Sequence, residues 1–525
     1  MSATETDTAA SSGEVVARLD DLTEGAMTMV KADGRRICLV RTATGVHAID
    51  NACPHEGYGL TQGSLDGELV TCQWHNWKFR VSDGACTQGE EAVRVHDVSI
   101  DDHGSVRVTV HRPDPAALIP QLMDSLGRAI EHHYVGQISR DVIRLLKAGA
   151  DPADLVWLAV EYGAPRAEDG WGHTIASATD CLSMLDFHHG DDRALPVVQA
   201  IAGIAEIERG RPVNQLPPPA DTGPVSLEAF RQAVEDEDLV GAQAILGAAL
   251  EQGAGADEIT GWFGEVVSDH LLSYGHGAIY AQKAFELLEI VGWPRAPIVL
   301  GHLVPTLVYG TREDLLPYAR TFMRVVEGMD LDALARVEVD DQWAGSDDLL
   351  EVLLGADRSS PAAAVEAALL SGAGVDRVLD VCVIAASERM LRYDTDGEFD
   401  FSDDFGWLDI THGLTYAHAG RWHHGRAVDV HGRTTPDMVR LALFCAFLAN
   451  WTGRHEWHTQ VGERYQIDLQ GELAEIGADL QRRALLDGTS AFIVAAHAVK
   501  TSRAATREAI RQDSVVPLLA AARFM

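Results

Sequence analysis

Two different patterns of apolar and polar residues follow one another along the chain. Up to about residue 110, apolar residues alternate with polar ones in short runs, as in residues 14–19, 27–30, 37–40 and 93–110. Alternation with a period of two is typical of β-strands that have one face buried. Asp83 and Gly84 form a pair that favours a hairpin turn. The first part of the chain is therefore predicted to be a small all-β domain.

After about residue 115 the alternation stops and alanine, leucine and glutamate become frequent. Apolar residues now recur with a helical period, and residues 226–252 and 257–291 are predicted to be long amphipathic segments. Asp151 followed by Pro152 is typical of the first residues of a helix. The chain is thus predicted to be multidomain, with a large, mainly α-helical domain over residues 116–525.

Residues 209–226 interrupt the helical pattern with five prolines. Such a run cannot be helical, and it is expected on the surface. It is either a linker that divides the helical region into 116–208 and 226–525 or a loop inside one domain, because helical domains tolerate long surface insertions.

Candidate chemistry is concentrated in two short segments, Cys53-Pro54-His55 and Cys72-Gln73-Trp74-His75. Two thiolates and two imidazoles are the ligands of a [2Fe–2S] cluster in which the thiolates hold one iron and the imidazoles hold the other. A tetrahedral zinc site could use the same residue types, although zinc fingers space their ligands differently.

Residues 12–111 resemble a Rieske [2Fe–2S] ferredoxin domain through the patterns Cys-x-His-x-Gly-x-x-Leu at 53–60 and Cys-x-x-His-x-x-x-Phe at 72–79. The resemblance implies that Cys53, His55, Cys72 and His75 bind the cluster and that the domain transfers single electrons. Tyr58 and Trp74 stand where respiratory Rieske proteins carry an extra pair of cysteines. The domain is therefore expected to be of the soluble ferredoxin or oxygenase-associated type.

Charge and composition restrict the classes of binding partner and the cellular location that are expected. The chain has 42 basic and 79 acidic residues, a net charge of −37, which argues against nucleic acid and anionic membranes as partners. No run of eighteen apolar residues occurs, and the N-terminus lacks the basic and apolar regions of a signal peptide. The five remaining cysteines suggest no disulfide framework. A cytoplasmic location is expected, since it suits reduced thiols.

Histidines are the second informative feature, because sixteen of the 22 lie after residue 111. Histidines from different helices can build an iron site inside a bundle, although a single helical histidine is more often a satisfied core or surface residue. His455 and His458 are three residues apart and would share a helix face. Lys283 follows His276 by about two helical turns. It is predicted to be a surface lysine, with a role in a site as the alternative.

Two segments, residues 302–310 and 407–416, resemble the questin oxidase-like family. Members of that family are helical, histidine-rich oxygenases that act on polycyclic aromatic substrates such as anthraquinones. The resemblance implies His302 and His412 as ligands of a mononuclear non-haem iron. Their context makes His133, His173 and His276 the expected companions.

Together these features predict an oxidoreductase, either a mono- or a dioxygenase, that oxidises an aromatic or polyketide-like small molecule with O2. The chain has no dinucleotide-binding fingerprint, so a separate reductase or ferredoxin is expected to donate the electrons. One alternative is an electron-transfer or redox-sensing protein whose helical domain is a non-catalytic interaction module. Another is a helical hydrolase or isomerase that uses a different metal.

Overall fold

The computed structural model describes residues 13–112, 114–398, 405–451, 462–486 and 491–525. They form two compact units. The first unit comprises the described residues up to Leu126 together with Tyr134–Ala150, and the second comprises Gly127–His133 and Asp151–Met525. His455 and His458 lie outside the described residues.

The first unit is built on antiparallel strands. They form a six-stranded sheet in the order β1-β10-β9-β4-β3-β2 and a four-stranded sheet in the order β5-β6-β7-β8. The predicted turn at Asp83 and Gly84 lies between β7 and β8. The strands are β1 (Glu14–Arg18), β2 (Ala26–Ala32), β3 (Arg35–Thr42), β4 (Gly45–Asp50), β5 (Ser64–Asp66), β6 (Leu69–Thr71), β7 (Lys78–Arg80), β8 (Cys86–Gln88), β9 (Val95–Ile100) and β10 (Ser105–Thr109).

Strand β3 is buried on both faces, which places it at the centre of the unit. Ile37 and Leu39 belong to one apolar cluster, whereas Cys38 and Val40 belong to another. Successive side chains of a strand point to opposite faces, so a central strand supplies both cores with alternate residues. The second of these clusters also contains the predicted ligands Cys53 and Cys72.

The strands are followed by helices, as the sequence predicts. The helices are α1 (Ile119–His132), α2 (Val135–Ala148), α3 (Pro152–Gly163), α4 (His173–Ser183), α5 (Ala194–Glu208), α6 (Leu227–Glu235), α7 (Leu239–Glu251), α8 (Ala256–Asp269), α9 (His276–Val291), α10 (Ala296–Gly301), α11 (Val304–Val308), α12 (Arg320–Val326), α13 (Leu331–Ala335), α14 (Ser346–Leu354), α15 (Ser360–Leu370), α16 (Gly374–Arg392), α17 (Trp407–His431), α18 (Pro436–Asn450), α19 (Leu473–Leu486), α20 (Phe492–Gln512) and α21 (Val516–Phe524).

Helix boundaries follow local side-chain chemistry. Asp151 caps α3 by accepting a hydrogen bond from the Ala153 amide, as its position before Pro152 predicts. Each of the two predicted long amphipathic segments is instead divided into two helices. The first is divided because Asp238 caps a new helix, α7. The second is divided between α8 and α9, where the backbone of residues 273–275 takes positive φ values.

The proline-rich residues 209–226 contain no helix and connect α5 to α6. The backbone amide of Asn214 donates to the carbonyl of Pro165 at 2.6 Å, and that of Ala220 donates to Ala244 at 2.9 Å. These bonds satisfy backbone groups that a proline-rich chain cannot pair within itself. The residues on both sides of the segment belong to the same compact unit.

Helix α17 runs through the core of the second unit, where it packs against α8, α9, α16, α18 and α20. It is 25 residues long and buried on all sides between Ile410 and Arg421. Four of its histidines, His412, His418, His423 and His424, are therefore buried. None of the helices in the described part of the chain has the length and the apolar character that crossing a bilayer requires.

A buried ion pair beside α17 makes the stability of this unit depend on pH. His418 donates to Glu508 at 2.7 Å and Arg421 donates to it at 3.0 Å. Burial opposes ionisation of Glu508, but these two partners outweigh it and lower the pKa of the carboxyl to about 2. The stabilisation is complete above the pKa of the unfolded chain, near 4.3, and is lost as the pH falls towards 2.

Acid unfolding should show this contribution. Between pH 5 and pH 2.5 we expect the free energy of unfolding to fall more steeply in the native protein than in Glu508→Gln, with a difference of about 2 kcal/mol at pH 2.5. Urea titrations of both proteins across this range would measure it. The N-terminal unit is the same in both proteins, so its own acid sensitivity cancels. Parallel pH profiles would contradict the assignment of this stabilisation to Glu508.

Candidate metal centres

Two loops with the same hydrogen-bonding pattern carry the four predicted cluster ligands. One follows β4 and the other connects β6 to β7. In the first, the Cys53 amide donates to Tyr58 at 2.8 Å and the Cys53 carbonyl accepts from Gly57 at 2.8 Å. In the second, the Cys72 amide donates to Trp77 at 2.8 Å and its carbonyl accepts from Asn76 at 3.0 Å.

The fourth residue after each cysteine has a left-handed backbone, with φ of 76° at Gly57 and 59° at Asn76. Glycine and asparagine adopt this conformation most readily. The two loops thus turn in the same way and present their cysteine and histidine side chains similarly.

The ligands form two separate pairs. Cys53 and Cys72 are 2% and 1% exposed, and their thiols lie within hydrogen-bonding reach of each other. The Nδ1 atoms of His55 and His75 are 2.9 Å apart. Among the described residues, the ligand atoms of these two histidines lie within 4.8 Å of each other and of Glu56, but neither thiol joins that group. Two separate pairs suit a cluster with two irons better than one tetrahedral zinc.

Burial, the largest influence on Cys53, raises the pKa of its thiol to about 12. The Cys53 thiol would therefore stay protonated in this apolar surrounding unless a metal displaced the proton. The donor set and the burial of its two cysteines fit the [2Fe–2S] group that the sequence predicts. Cys53, His55, Cys72 and His75 would hold it.

Aromatic side chains surround the two histidines. Trp77 stacks on His55 with ring centroids 4.8 Å apart, and Leu60 and Phe79 are fully buried. Trp74 is 60% exposed but stacks on Tyr58 at 5.6 Å. These two rings thus occupy the place where the resemblance puts an extra cysteine pair in respiratory proteins.

In the second unit, three of the five predicted iron ligands come together. His173 and His276 are the first residues of α4 and α9, and His412 lies in the first turns of α17. One ring nitrogen from each lies within 4.8 Å of the others, and we call this group the histidine triad. The Nε2 atoms of His276 and His412 are 2.8 Å apart. Two imidazoles on one metal ion have nitrogens about 3 Å apart, so little movement would be needed to bind one.

The environment keeps the triad uncharged. Burial lowers the pKa of His412 to about 3. It also lowers the pKa values of His173 and His276 well below the usual range, with nearby positive charges adding to the effect. Neutral imidazoles keep the lone pair that a metal ion requires.

The position of His276 depends on a strained turn. Ser273, Tyr274 and Gly275 have φ values of 45°, 56° and 94°. The Ser273 amide donates to Thr311 at 2.7 Å, and the Ser273 hydroxyl accepts from the Thr311 amide at 2.8 Å. Left-handed conformations in non-glycine residues persist only where surrounding contacts enforce them, and they concentrate at functional sites.

The two other predicted ligands lie apart from the triad. His133 follows α1, and its Nδ1 is 2.7 Å from Glu206. His302 follows α10 in an apolar surrounding, where burial lowers its pKa to about 4. The structure therefore groups three of the five histidines that the sequence suggests.

Sequence reasoning missed two residues on α20, His497 and Lys500. The ring of His497 lies 4.2 Å from that of His173 and 5.2 Å from that of His412. Its Nδ1 donates to the Ile493 carbonyl at 2.8 Å, and its buried Nε2 has no hydrogen-bond partner among the residues that the structure describes. Lys500 donates to Nδ1 of His173 at 2.6 Å and is 3% exposed. The sequence feature that could have indicated them is the spacing His-x-x-Lys within an apolar helix, because residues three apart share one helix face.

The prediction that Lys283 lies at the surface is wrong. Its side chain is 3% exposed and donates to Asp180 at 2.8 Å. Arg503 pairs with the same fully buried carboxylate at 3.0 Å. A buried carboxylate must be paired. Asp180 thereby connects α4, α9 and α20, the helices that carry His173, His276 and His497.

Comparison with known proteins bears on the first unit. Residues 13–100 match the family described as the Rieske [2Fe-2S] domain. The ferredoxin component of the naphthalene 1,2-dioxygenase/salicylate 5-hydroxylase systems of a Ralstonia species is 32% identical over 86 residues, which are 16% of this chain and 83% of that protein.

Other similar proteins share the same region. Oxidoreductase NdmD of Pseudomonas putida is 29% identical over 29% of this chain, which spans only 28% of NdmD. Among solved structures, the ferredoxin of carbazole 1,9a-dioxygenase from Nocardioides aromaticivorans IC177 is 32% identical, covers 19% of this chain and all of its own, and has a TM-score of 0.19. Through residues 13–100, the chain belongs to the Rieske [2Fe–2S] domain family, which implies a [2Fe–2S] cluster.

Proposed function

We propose that this protein is a Rieske-type oxygenase in which electrons received in the N-terminal unit are used at a non-haem iron held by the histidine triad. The observation that carries the proposal is the meeting of His173, His276 and His412 in a chain that also has a Rieske domain. His412 is buried, and the other two histidines are half-buried. Relatives of that domain include ferredoxin components of dioxygenase systems and oxygenases.

The donor set is compatible with several metals, because imidazole binds iron, copper, nickel and zinc. Three histidines occupy three positions and leave others open for substrate or oxygen. Iron is favoured because the Rieske domain supplies a source of single electrons, which zinc cannot use. When bound, the cluster supplies single electrons and the iron supplies a centre that reacts with O2.

Residues next to the triad would shape the reaction space. Lys500 places its amino nitrogen 2.6 Å from His173, and burial lowers the pKa of this amine to about 7. The buried ring of Tyr280 lies 5.0 Å from that of His276. Tyr274, whose ring is 6.3 Å from that of His412, adds a second aromatic surface. These two aromatic side chains would favour a planar aromatic or polyketide-like substrate, the class that the questin oxidase-like resemblance suggests.

A separate protein would supply the electrons. The names of two related proteins describe multi-component systems in which a ferredoxin is one part. This chain carries its Rieske domain and the helical unit together, so a reductase or a further ferredoxin remains the expected partner.

One observation favours the alternative, an electron-transfer or redox-sensing protein with a non-catalytic helical module. Two contacts pair the triad without a metal, because His276 and His412 approach at 2.8 Å and Lys500 donates to His173. Such pairing would make these histidines purely structural.

The iron content separates the two functions. We would measure iron per chain on protein purified without oxygen, and record electron paramagnetic resonance spectra of the oxidised and reduced forms. A Rieske signal with a third, high-spin iron, together with substrate-dependent oxygen consumption, supports the oxygenase. Two irons per chain after full reconstitution, with no other metal bound, would make the helical unit an interaction or sensor module.

A further inference from the structure

Helix α2 lies outside the part of the chain that matches the Rieske family, which ends at residue 100, yet it belongs to the same compact unit. Tyr134, directly before α2, places its ring 6.1 Å from that of His55, edge to face. At Gly136, in the first turn, an added Cβ would lie 3.4 Å from a carboxylate oxygen of Glu56. The start of α2 thus packs on the loop that carries Cys53 and His55.

Arg140, one turn further along α2, contacts this loop directly. Its guanidinium donates to the Cys53 carbonyl at 3.3 Å, the same oxygen that accepts the Gly57 amide. Gln137 accepts a second hydrogen bond from Arg140 at 2.9 Å and so orients the guanidinium. The side chain is only 22% exposed, and within the described part of the chain its buried Nε has no hydrogen-bond partner.

The charge of Arg140 is weakly compensated. The nearest carboxylate paired with it is Asp141, at 4.0 Å. Asp141 already accepts from Ser125 and Gln137 at 2.7 Å and from Arg144 at 3.3 Å. A poorly solvated and poorly paired cation therefore faces the backbone of a cluster ligand, where its field is screened less than at the surface.

We propose that α2 is part of the redox centre and that Arg140 is a positioning residue which raises the reduction potential of the [2Fe–2S] site. Reduction adds one negative charge to the centre, and a fixed cation nearby stabilises the reduced form. The hydrogen bond to Cys53 also holds the ligand loop in its turn. This proposal depends on the Rieske domain and not on the histidine triad, so it can fail or succeed independently of the oxygenase function.

Arg144 provides a matched control, because it lies one turn further along the same helix. It pairs with Glu91 at 3.0 Å and with Asp141 at 3.3 Å, so two carboxylates compensate its charge. Removing it should perturb the helix without removing an uncompensated cation from the ligand loop.

The test is a redox titration of the full chain, in which the reduced Rieske signal is followed by electron paramagnetic resonance. We expect the ratio of reduced to oxidised centres at a fixed potential to fall about tenfold in Arg140→Met, which corresponds to a midpoint about 59 mV lower. Arg140→Gln keeps a donor to Cys53 but no charge, and should shift in the same direction. Arg140→Lys and Arg144→Met should stay close to the native midpoint.

Native midpoints in both neutral variants, at full iron content, would overturn the proposal. If Arg140→Met lost its cluster and Arg140→Gln kept it, the midpoint of Arg140→Gln would decide whether the charge of Arg140 raises the reduction potential. A shift as large in Arg144→Met as in Arg140→Met would also overturn it, because the effect would then come from the packing of α2 and not from the charge of Arg140.

Discussion

His412→Ala is expected to remove the metal of the helical unit while leaving the Rieske centre intact. The replacement deletes one of three ligands, and His276 loses the neighbour that lies 2.8 Å from it. Changes to residues behind the ligands of a metal site already cost 10–100-fold in affinity or activity, so loss of a ligand should cost more than about 100-fold. Metal analysis and oxygen consumption with substrate would both report it.

The matched control is His423→Ala on the same helix. His423 is equally buried, but its Nε2 donates to the Ala278 carbonyl at 3.0 Å and it is not part of the triad. This variant should keep its metal even if it loses stability. His302→Ala tests the sequence-based prediction that His302 is a ligand, since the structure places it outside the triad. Full metal content in His412→Ala and in His276→Ala would refute the site.

Gly275→Ala is expected to destabilise the helical unit by about 3 kcal/mol and to weaken metal binding. Gly275 has φ of 94°, and a Cβ at this position would lie 2.3 Å from the ring of Tyr416 on α17. The left-handed backbone costs a non-glycine residue about 1–2 kcal/mol, and overpacking adds about 1–3 kcal/mol. Because His276 follows directly, any shift that relieves the clash also moves a ligand.

Gly253→Ala separates the cost of the left-handed backbone from the cost of overpacking against Tyr416. Gly253 has nearly the same φ, 92°, but an added Cβ would meet no atom within 4 Å. It should therefore lose only the backbone contribution, about 1–2 kcal/mol, and should keep its metal. Urea unfolding followed by far-ultraviolet circular dichroism, with metal content measured in parallel, would compare the variants. Equal losses in both would show that the contact with Tyr416 contributes nothing.

The Rieske ligands could be identified from the sequence because their chemistry is local. Cys53 and His55 share one loop and Cys72 and His75 share another, so spacing along the chain reflects spacing in the fold. The turn of each loop is also encoded locally, by Gly57 in one and Asn76 in the other. The alternation of apolar residues then sufficed to predict the surrounding strands.

The histidine triad could be predicted only in part, because its members come from three distant helices. No spacing relates His173 to His412, and His302 has as apolar a context as either of them. His497 has no neighbouring histidine in the sequence, so nothing local indicates that it belongs near a site. The prediction that Lys283 lies at the surface is wrong because α9 is buried on almost all sides. Helical periodicity therefore does not reveal that the partner of Lys283 is the buried Asp180.

The two centres also differ in when they can form. All four Rieske ligands lie within residues 53–75, in two loops that are close in sequence and can assemble early in synthesis. The triad requires α4, α9 and α17 to have met, so it does not exist until residue 412 has been made and packed. Any metal that the triad holds would therefore be inserted late in maturation. A chain interrupted before α17 would leave the ribosome with all four ligands of its Rieske cluster but without the third histidine of the triad.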